Sequence, residues 1–378
     1  MTATTDQASL KDPAMPEPSR TFVAEVEVSL ANAERVTDRV LRHLAEHEFS
    51  VTRQVSGGVV TFLAGETLVQ LRPDGVLMRA TAASEAGLAY MKDVMARQLI
   101  QFAEGDGPRI VWTGHGADAK FFPNFREMTV KRVENITAHM RRITLSGNDL
   151  GSFATGGLHF KLLVPPEGVT KPEWPVPGVD GLPIWPTDDK RPGVRTYTIR
   201  KIDPAAGTFD VDFVLHGDHG PDHSVGSRWA AGARPGDIVG VRGPVGRAIP
   251  TADWYLLVGD EAALPAIARH LETLPASVRG VALIEVADKT ERQEIKNETG
   301  IEVRWLYREG AEPGTTTLLA EAVRAVEMPP AGTTVYAFAG VEAEAFTVIR
   351  HHWREVLKLD KKDVLSNIYW RRGMAEGE

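Results

Sequence analysis

A short stretch that reads as a strand, RTYTIR at residues 195–200, carries side chains suited to one kind of ligand. Alternation along an extended strand puts Arg195 and Tyr197 on one face, and Thr196 and Thr198 on the other. A cation and a flat aromatic ring, with hydroxyl groups beside them, suit an aromatic ligand that also carries phosphate.

Two later stretches end predicted strands in glycine. LLVGDEAALPA places Gly259 and Asp260 at a strand end, and AFAGVEAEA does the same for Gly340. Parallel sheets bind their ligands beyond the carboxyl ends of the strands. The first stretch lacks the G-x-G-x-x-G spacing, so Gly259 equally suits an ordinary turn into a helix.

The stretch HGDHGPDHSVGSRWAAGARPGD, residues 216–237, offers a second candidate anion site. Gly226 and Ser227 suit the start of a short helix, whose free backbone N–H groups would face an anion. Arg228 is a candidate phosphate partner, and Trp229 a candidate apolar wall. The alternative is a capped surface helix that Trp229 anchors to the core.

The same stretch contains a group of potential metal ligands. Imidazole and carboxylate groups bind zinc and iron, and five such residues follow one another here: His216, Asp218, His219, Asp222 and His223. The segment is rich in glycine and proline, so their spacing fixes no common face. We therefore expect no metal site.

Hydrophobic patterning divides the chain into a tail and a first domain. Residues 1–20 lack an apolar core of the secretory type and are predicted to be a disordered tail. Residues 21–115 predict a small α+β domain, because strand-like alternation is followed by helical stripes at Val36–Leu44 and Leu88–Phe102.

Residues 120–250 predict an antiparallel Greek-key β-barrel. Six strand-like runs with turn residues between them support this prediction: 126–136, 139–146, 158–164, 194–202, 208–216 and 237–242. The excursion at 165–193 holds too much proline and glycine for a central strand or helix. It suits a lid and a surface loop equally.

Residues 251–378 predict an α/β domain with a parallel sheet. Apolar strands such as WYLLVG and GVALIEVAD alternate with helical segments such as ALPAIARHLETL.

Composition excludes several classes of function. The 378 residues have a net charge of −8, which argues against a general nucleic-acid or membrane-surface binder. No stretch approaches the ~20 apolar residues of a membrane span, and we expect a cytoplasmic protein. The sequence contains no cysteine, so any redox chemistry must come from a bound cofactor. The oligomeric state stays open, with a monomer as the simplest expectation.

Five ordered motifs resemble the siderophore-interacting proteins, which are NADPH-dependent ferric-siderophore reductases of the ferredoxin-reductase-like superfamily. They are RTYTIR, DFVLHG, SRWAAGARPGD, VGDEAALPAIARHLETLP and the terminal YWRRG, within residues 124–373. The N-terminal part, with LRHLAEHEFSV, resembles a small bacterial domain of unknown function.

The resemblance implies that the barrel binds FAD. Arg195, Tyr197 and Thr198 match the family's R-x-Y-T element, with Thr196 between them. His216 and Gly217 match its HG element, and Gly226, Ser227 and Trp229 match a G-x-S-x-W-like segment near the pyrophosphate. The family usually reads G-P-A-S-x-W, so the longer GPDHSVGSRW implies a locally different loop.

The resemblance also implies a nicotinamide site in the α/β domain. The matching residues are Gly259, Asp260, Glu261, Ala263, Pro265, Glu342, Tyr369 and Trp370. AGVE replaces the family's A-G-E, and NIYWRRG replaces G-Y-W-R. Asp288 suits a ribose hydroxyl, while Lys289 and Arg292 suit a 2′-phosphate. We follow the family in choosing NADPH, with NADH as the open alternative.

The implied function is reduction of ferric siderophores from Fe³⁺ to Fe²⁺, with hydride passed to FAD and single electrons passed to iron. A basic rim would attract an anionic chelate, and the candidate cations are Lys190, Arg191, Arg200, Lys201, Arg371 and Arg372. The alternatives are another flavin or ferredoxin-type reductase, and a non-catalytic siderophore-binding protein.

Overall fold

The computed structural model of the chain describes residues 21–46, 49–62, 64–103, 107–155, 157–215, 225–246 and 249–374. The predicted tail at 1–20 lies outside these ranges. Two compact units are present. One is formed by Met1–Pro123 with Pro177–Leu182, and the other by Asn124–Val176 with Pro183–Glu378.

The first unit is an antiparallel sheet with two helices. Its elements are β1 (Phe22–Ser29), α1 (Ala33–Glu46), β2 (Ser50–Gln54), β3 (Gly57–Phe62), β4 (Gly65–Arg72), β5 (Gly75–Ala82), α2 (Glu85–Phe102) and β6 (Thr113–Gly114). The strand order is β2-β3-β4-β5-β1-β6. Apolar side chains at helical spacing, such as Leu41 on α1 and Met91 on α2, pack on the sheet and are fully buried. Each such side chain contributes about 1.5–3 kcal/mol by burial.

A segment from the 165–193 excursion belongs to this first unit. We call Pro177–Leu182 the strap. The backbone N–H of Trp112 donates to the Val179 carbonyl at 3.0 Å, and its indole N–H donates to the Asp180 carbonyl at 2.9 Å. Two hydrogen bonds to one buried tryptophan therefore fix the strap to this unit.

The second unit begins with a seven-stranded antiparallel sheet. Its elements are β7 (Phe125–Asn135), β8 (Met140–Ser146), α3 (Gly151–Thr155), β9 (His159–Val164), β12 (Gly193–Thr198), β13 (Lys201–Asp203), β14 (Thr208–Val214), α4 (Val225–Gly232) and β15 (Ile238–Val245). The two-residue strands β10 (Val176–Pro177) and β11 (Pro183–Ile184) form a separate ribbon.

The order of these strands shows that the sheet curls on itself. The order is β12-β9-β15-β7-β8-β14-β13, so the consecutive strands β12 and β13 lie at opposite edges. Only Ile199 and Arg200 lie between them, and the three Cα–Cα steps from Thr198 to Lys201 span at most about 11 Å. The edges must therefore lie close together, which makes the sheet barrel-like. The single strand predicted at 194–202 is divided here, because the Arg200 N–H donates to the Asp210 carbonyl on the far edge.

A five-stranded parallel sheet follows. Its elements are β16 (Trp254–Gly259), α5 (Leu264–Thr273), β17 (Arg279–Val286), β18 (Gly300–Tyr307), α6 (Leu318–Arg324), β19 (Val335–Glu342), α7 (Ala343–His351) and β20 (Val364–Trp370). The order is β18-β17-β16-β19-β20. Strands are added on one side of β16 and then on the other, so the order reverses between β16 and β19. Such a topological switch leaves a crevice at the carboxyl ends of these two strands.

Candidate functional site

Tyr197 lies on β12 beside the first turn of α4. Its ring packs against Phe213, with the ring centroids 4.4 Å apart. A Cβ added at Gly226 would lie 2.1 Å from the Tyr197 hydroxyl oxygen. Any larger residue at Gly226 would therefore collide with the ring. The structure thus brings the RTYTIR and GSRW motifs together.

A second cation stands beside this strand. Lys161 on β9 is the cross-strand partner of Thr196, and its Nζ donates to Thr196 Oγ1 at 2.6 Å. Arg195 is partly exposed on β12, and its Nη1 donates to the Val194 carbonyl at 2.8 Å. Thr198, at the end of the strand, is buried. Lys161 therefore lies on the Thr196 face of the strand, and Arg195 lies on the face that carries the Tyr197 ring.

Helix α4 is anchored at both ends. Ser227 Oγ donates to the Val214 carbonyl at 2.9 Å, and Trp229 meets Phe213 edge-on. Arg141 Nη1 donates to the Ala230 carbonyl at 2.9 Å, which satisfies one of the carbonyls left open at the C-terminus of the helix. His216 and Gly217, predicted to join this site, lie outside the described residues, as do His219 and His223.

These groups fit the FAD that the resemblance implies. The Tyr197 ring offers a stacking surface, Arg195 offers a phosphate partner, and the N-terminal turn of α4 is the kind of helix end that favours an anion. The close approach at Gly226 holds the ring and the start of the helix side by side.

The crevice of the parallel sheet is built from small residues and one tyrosine. Gly259 and Gly340 are partners in register across β16 and β19. A Cβ added at Gly340 would lie 2.8 Å from the Tyr369 ring, and one at Gly259 would lie 2.5 Å from Ala263 Cβ. Pro265 follows in the first turn of α5. Small residues therefore make room for the Tyr369 ring over the strand ends.

Asp260 is a buried carboxyl group at this crevice. Its Oδ2 accepts a hydrogen bond from the Trp370 indole at 2.7 Å, and its Oδ1 accepts one from the Ala262 N–H at 2.9 Å. Burial, together with the charge of Glu261, raises the pKa of Asp260 to about 7, although both hydrogen bonds favour the carboxylate. Asp260 can therefore hold or release a proton near neutral pH.

One buried guanidinium offsets the neighbouring carboxylates. Arg308, after β18, binds Glu261 through two hydrogen bonds of 2.6 and 2.9 Å and lies 3.5 Å from Glu285. Glu285 also accepts from Thr316 Oγ1 at 2.9 Å. Burial raises the pKa of Glu285. The crevice therefore contains more carboxyl groups than cations.

Glu342 caps a helix at the same edge. Its side chain accepts from the Glu344 N–H at the start of α7 and from the Arg372 N–H at 3.2 Å. The loop after β18 approaches closely, because a Cβ added at Gly314 would lie 2.9 Å from Glu342 Cγ and 2.8 Å from the Trp370 ring. Glu342 is thus fixed by two backbone donors.

Asp288 lies in the turn after β17. Its Oδ1 accepts from both the N–H and the hydroxyl of Thr290, at 2.7 and 2.6 Å. The hydrogen bond from the Thr290 hydroxyl, and after it the bond from the Thr290 N–H, lowers the pKa of Asp288. Nearby, buried Glu291 accepts from His139 Nδ1 at 2.8 Å on the β7–β8 turn. This contact holds the turn after β17 against the β7–β8 turn of the barrel-like sheet.

His159 joins the two parts of the site. It is the cross-strand partner of Thr198, and its Nε2 lies 2.6 Å from the Tyr369 hydroxyl oxygen. Contacts therefore run without a break from the RTYTIR strand through His159 to Tyr369 and the crevice.

The six predicted rim cations occupy different environments. Arg200 is only 6% exposed, and it binds Glu272 through two 2.6 Å hydrogen bonds and lies 3.8 Å from Asp212. The prediction that Arg200 faces a chelate is therefore corrected, because the chain turns at Ile199 and directs this side chain into an ion pair. The other five are exposed: Lys190, Arg191, Lys201, Arg371 and Arg372.

Some of the exposed cations have partners. Lys190 forms an ion pair with Glu173, Arg191 lies 5.0 Å from the Trp185 ring centroid, and Arg372 lies 3.6 Å from Glu344. Within the described ranges, no contact joins Lys190 or Arg191, in the excursion, to Arg371 or Arg372, after β20.

Sequence reasoning missed four residues of the site. Glu285 carried a usable signal, because it is a charge inside the apolar strand GVALIEV. Lys161, Arg308 and His159 carried none, since their roles depend on strand pairing and on a contact across 210 residues.

Comparison with known families places each part of the chain. Residues 129–248 match the siderophore-interacting FAD-binding domain, and residues 252–373 match the family described as siderophore-interacting protein. Residues 25–113 match an uncharacterised protein conserved in bacteria (DUF2218).

Three relatives match part of the chain. An uncharacterised protein of Mycobacterium tuberculosis, Rv2895c, is 36% identical over 65% of this chain and 90% of its own length. The ferric vibriobactin reductase ViuB of Vibrio cholerae is 30% identical over 65% of this chain and 89% of its own. The NADPH-dependent ferric-chelate reductase of Escherichia coli is 36% identical over 48% of this chain and 71% of its own.

Two solved structures match about two thirds of the chain. A siderophore utilization protein from T. fusca matches with a TM-score of 0.55 and 38% identity, over 66% of this chain and 94% of its own. SipS from Aeromonas hydrophila matches with a TM-score of 0.54 and 29% identity, over 66% of this chain and 99% of its own. The fold that the chain shares with these two proteins is therefore a barrel-like sheet followed by a parallel sheet. Within the described ranges, no helix is both long and apolar enough to cross a membrane.

Proposed function

Because the chain belongs to the siderophore-interacting protein family, we propose that it is an FAD-dependent reductase that uses NADPH to reduce ferric siderophores. Two relatives carry the names ferric vibriobactin reductase and NADPH-dependent ferric-chelate reductase. The observation that supports the proposal best is the hydrogen bond from Tyr369 to His159, the strand partner of Thr198. This bond links the expected FAD motif directly to the nicotinamide crevice.

The residues proposed to hold FAD are those of β12 and α4. Tyr197 packs on the flavin part, while Arg195 and the first turn of α4 receive the pyrophosphate. Thr198 and Trp229 border the same site. When bound, FAD supplies the conversion of a two-electron hydride donor into one-electron transfers to Fe³⁺.

The residues proposed to hold the nicotinamide nucleotide surround the crevice. Gly259 and Gly340 carry no side chains, so the nucleotide can approach the backbone at the ends of β16 and β19. Tyr369 borders the side of the crevice that faces the flavin. Asp260 holds a proton at its carboxyl group below pH ~7 and so limits the negative charge that meets an anionic nucleotide.

The turn after β17 supports NADPH over NADH. Asp288 already accepts two hydrogen bonds from Thr290, whereas Lys289 is exposed and the Arg292 guanidinium lies 5.7 Å from the Trp305 ring centroid. An arginine beside an aromatic ring, with an exposed lysine in the same turn, suits an adenosine that carries a 2′-phosphate.

The exposed cations are proposed to attract the ferric chelate. Lys201 and Arg371 are exposed on the barrel-like sheet and after β20, and Lys190 and Arg191 lie on the excursion. Cations at a site mouth raise the encounter rate with anionic chelates even on an acidic protein. Arg200 is excluded from this set by its ion pair with Glu272.

An anaerobic visible spectrum tests the proposal. The purified protein, incubated with FAD, should show a flavin band that bleaches with NADPH and recovers on addition of a ferric tris-catecholate or tris-hydroxamate. The matching gallium(III) chelate has the same charge and size but accepts no electron, so it should leave the bleached band unchanged.

The other outcomes identify which part fails. A flavin band that NADPH does not bleach would exclude NADPH as the donor. Recovery with free flavin but not with the ferric chelates would favour a general flavin reductase. A protein that retains no FAD would refute the enzymatic proposal altogether.

A further inference from the structure

The first unit contains a cavity of about 370 Å³ that has no place in the proposed reaction. It is lined by α2, by the segment after β6 and by the strap. Leu88, Ala89 and Phe122 give it an apolar wall, while Glu85 and Asp118 on its lining are exposed. The cavity therefore reaches the surface at an acidic mouth.

One buried ammonium group lies inside. Lys92 lines the cavity and is only 6% exposed. Its Nζ donates to the Gly116 carbonyl at 3.2 Å and lies 5.9 Å from the Trp112 ring centroid. Its stem is fixed by the strap, because a Cβ added at Gly181 would lie 2.9 Å from Lys92 Cβ.

This ammonium lacks an anionic partner among the described residues. No carboxylate of the described chain pairs with Lys92, and burial alone lowers its pKa. An ammonium has three donors, and the structure supplies one acceptor and one aromatic ring. Because an unpaired buried charge is costly, the site favours a ligand that brings its own negative charge.

The remaining features define the ligand. One cation inside and carboxylates at the mouth favour a monoanion over a multiply charged anion. The apolar wall favours an apolar body, and the volume is that of small-molecule sites, which run from about 300 to 1,000 Å³. We propose that the first unit binds a small monocarboxylate with an apolar body, with its carboxylate on Lys92 Nζ.

Calorimetry on the full chain tests this with three probes. Benzoate has both the charge and the body, benzamide has the body alone, and acetate has the charge alone. We expect benzoate to bind at least about tenfold more tightly than either of the others. Binding at pH values near the pKa of Lys92 should also take up protons, seen as a dependence of the heat on the buffer.

Two variants separate the ligand site from folding. Lys92→Met should weaken benzoate binding at least about tenfold and leave the melting temperature equal or higher, because it removes a buried charge. Ala89→Phe should block the cavity while leaving Lys92 in place. Lys120→Met removes an exposed charge of the same unit and should bind benzoate normally.

Three results would overturn the proposal. They are the absence of benzoate binding at millimolar concentration, equal binding of benzamide and benzoate, and undiminished binding by Lys92→Met. If neither the natural chain nor Ala89→Phe binds benzoate, and Lys92→Met is much less stable, the hydrogen bond from Lys92 to Gly116 has only a structural role.

Discussion

The Tyr369 hydroxyl oxygen lies 2.6 Å from Nε2 of His159, so the last strand of the parallel sheet is hydrogen-bonded to the first residue of β9. Burial lowers the pKa of His159 to about 4 and raises that of Tyr369. The histidine is therefore neutral at physiological pH, and the tyrosine donates the bond. Both residues therefore keep the same protonation state, neutral histidine and neutral tyrosine, at pH values around neutrality.

Tyr369→Phe should remove this bond and keep the ring over Gly340. We expect a loss of about 1 kcal/mol in the free energy of unfolding and slower bleaching of the flavin band by NADPH, because the strand end is less firmly held. Tyr255→Phe is the matched control. It removes another buried tyrosine hydroxyl of the second unit, which donates to the Pro250 carbonyl at 2.7 Å. An equal slowing in both variants would contradict the prediction.

His270 should make the second unit less stable in acid. It is fully buried on α5, and burial lowers its pKa to about 4 from 6.5. Between these values the unfolded chain binds the proton and the native protein does not, so the free energy of unfolding falls as the pH drops through this window. The full effect is about 3 kcal/mol.

Urea unfolding between pH 4 and 8 measures this effect. The free energy of unfolding of His270→Leu should change less between pH 4 and pH 8 than that of the natural protein. The same slope in both proteins would show that His270 does not titrate in this range.

Gly226→Ala should weaken FAD binding. Its Cβ would lie 2.1 Å from the Tyr197 hydroxyl oxygen and must displace either the ring or the helix. We expect the FAD dissociation constant to rise at least about tenfold, equivalent to about 1.4 kcal/mol. Gly232→Ala, at the other end of α4, meets nothing within 4 Å and should bind FAD normally. Fluorescence titration with FAD compares the two.

Asp260→Asn should change stability in a pH-dependent manner. The pKa of Asp260 is raised from 3.8 to about 7, so between these values the native protein binds more protons than the unfolded chain. Its contribution to stability is present below pH 3.8 and is lost as pH rises to about 7. The free energy of unfolding of Asp260→Asn, relative to that of the natural protein, should therefore be more favourable at pH 8 than at pH 5. A constant difference between the two proteins would refute the assigned pKa.

Arg200→Met should destabilise the second unit without weakening reduction of the ferric chelate. Breaking a buried ion pair costs about 3 kcal/mol, and Arg200→Met combined with Glu272→Leu should recover part of this loss. Lys201→Met removes the adjacent exposed cation, so it should leave stability nearly unchanged and raise the KM for an anionic chelate. A raised KM in folded Arg200→Met would return Arg200 to the substrate site.

Local patterns predicted much of the candidate site because its motifs are short and contiguous. RTYTIR and GSRW each indicated a ligand site, and the glycines that end β16 and β19 are partners at the topological switch. Patterning could not reveal Arg200 as an ion-pair residue, because a two-residue turn directs it away from the face that alternation assigns. The role of His159 could not be predicted for another reason. Its partner, Tyr369, is set by how two sheets pack together, and local sequence spacing does not encode that packing.

The strap has a consequence for the order in which the protein is made. The first unit takes its last residues from Pro177–Leu182, whereas its other residues end at Pro123. During synthesis Trp112 must wait for Val179 and Asp180 to leave the ribosome, by which time β7, β8 and β9 have already emerged. The first unit is therefore finished only after the second has begun, and a chain cut at Pro123 leaves Lys92 without its cover.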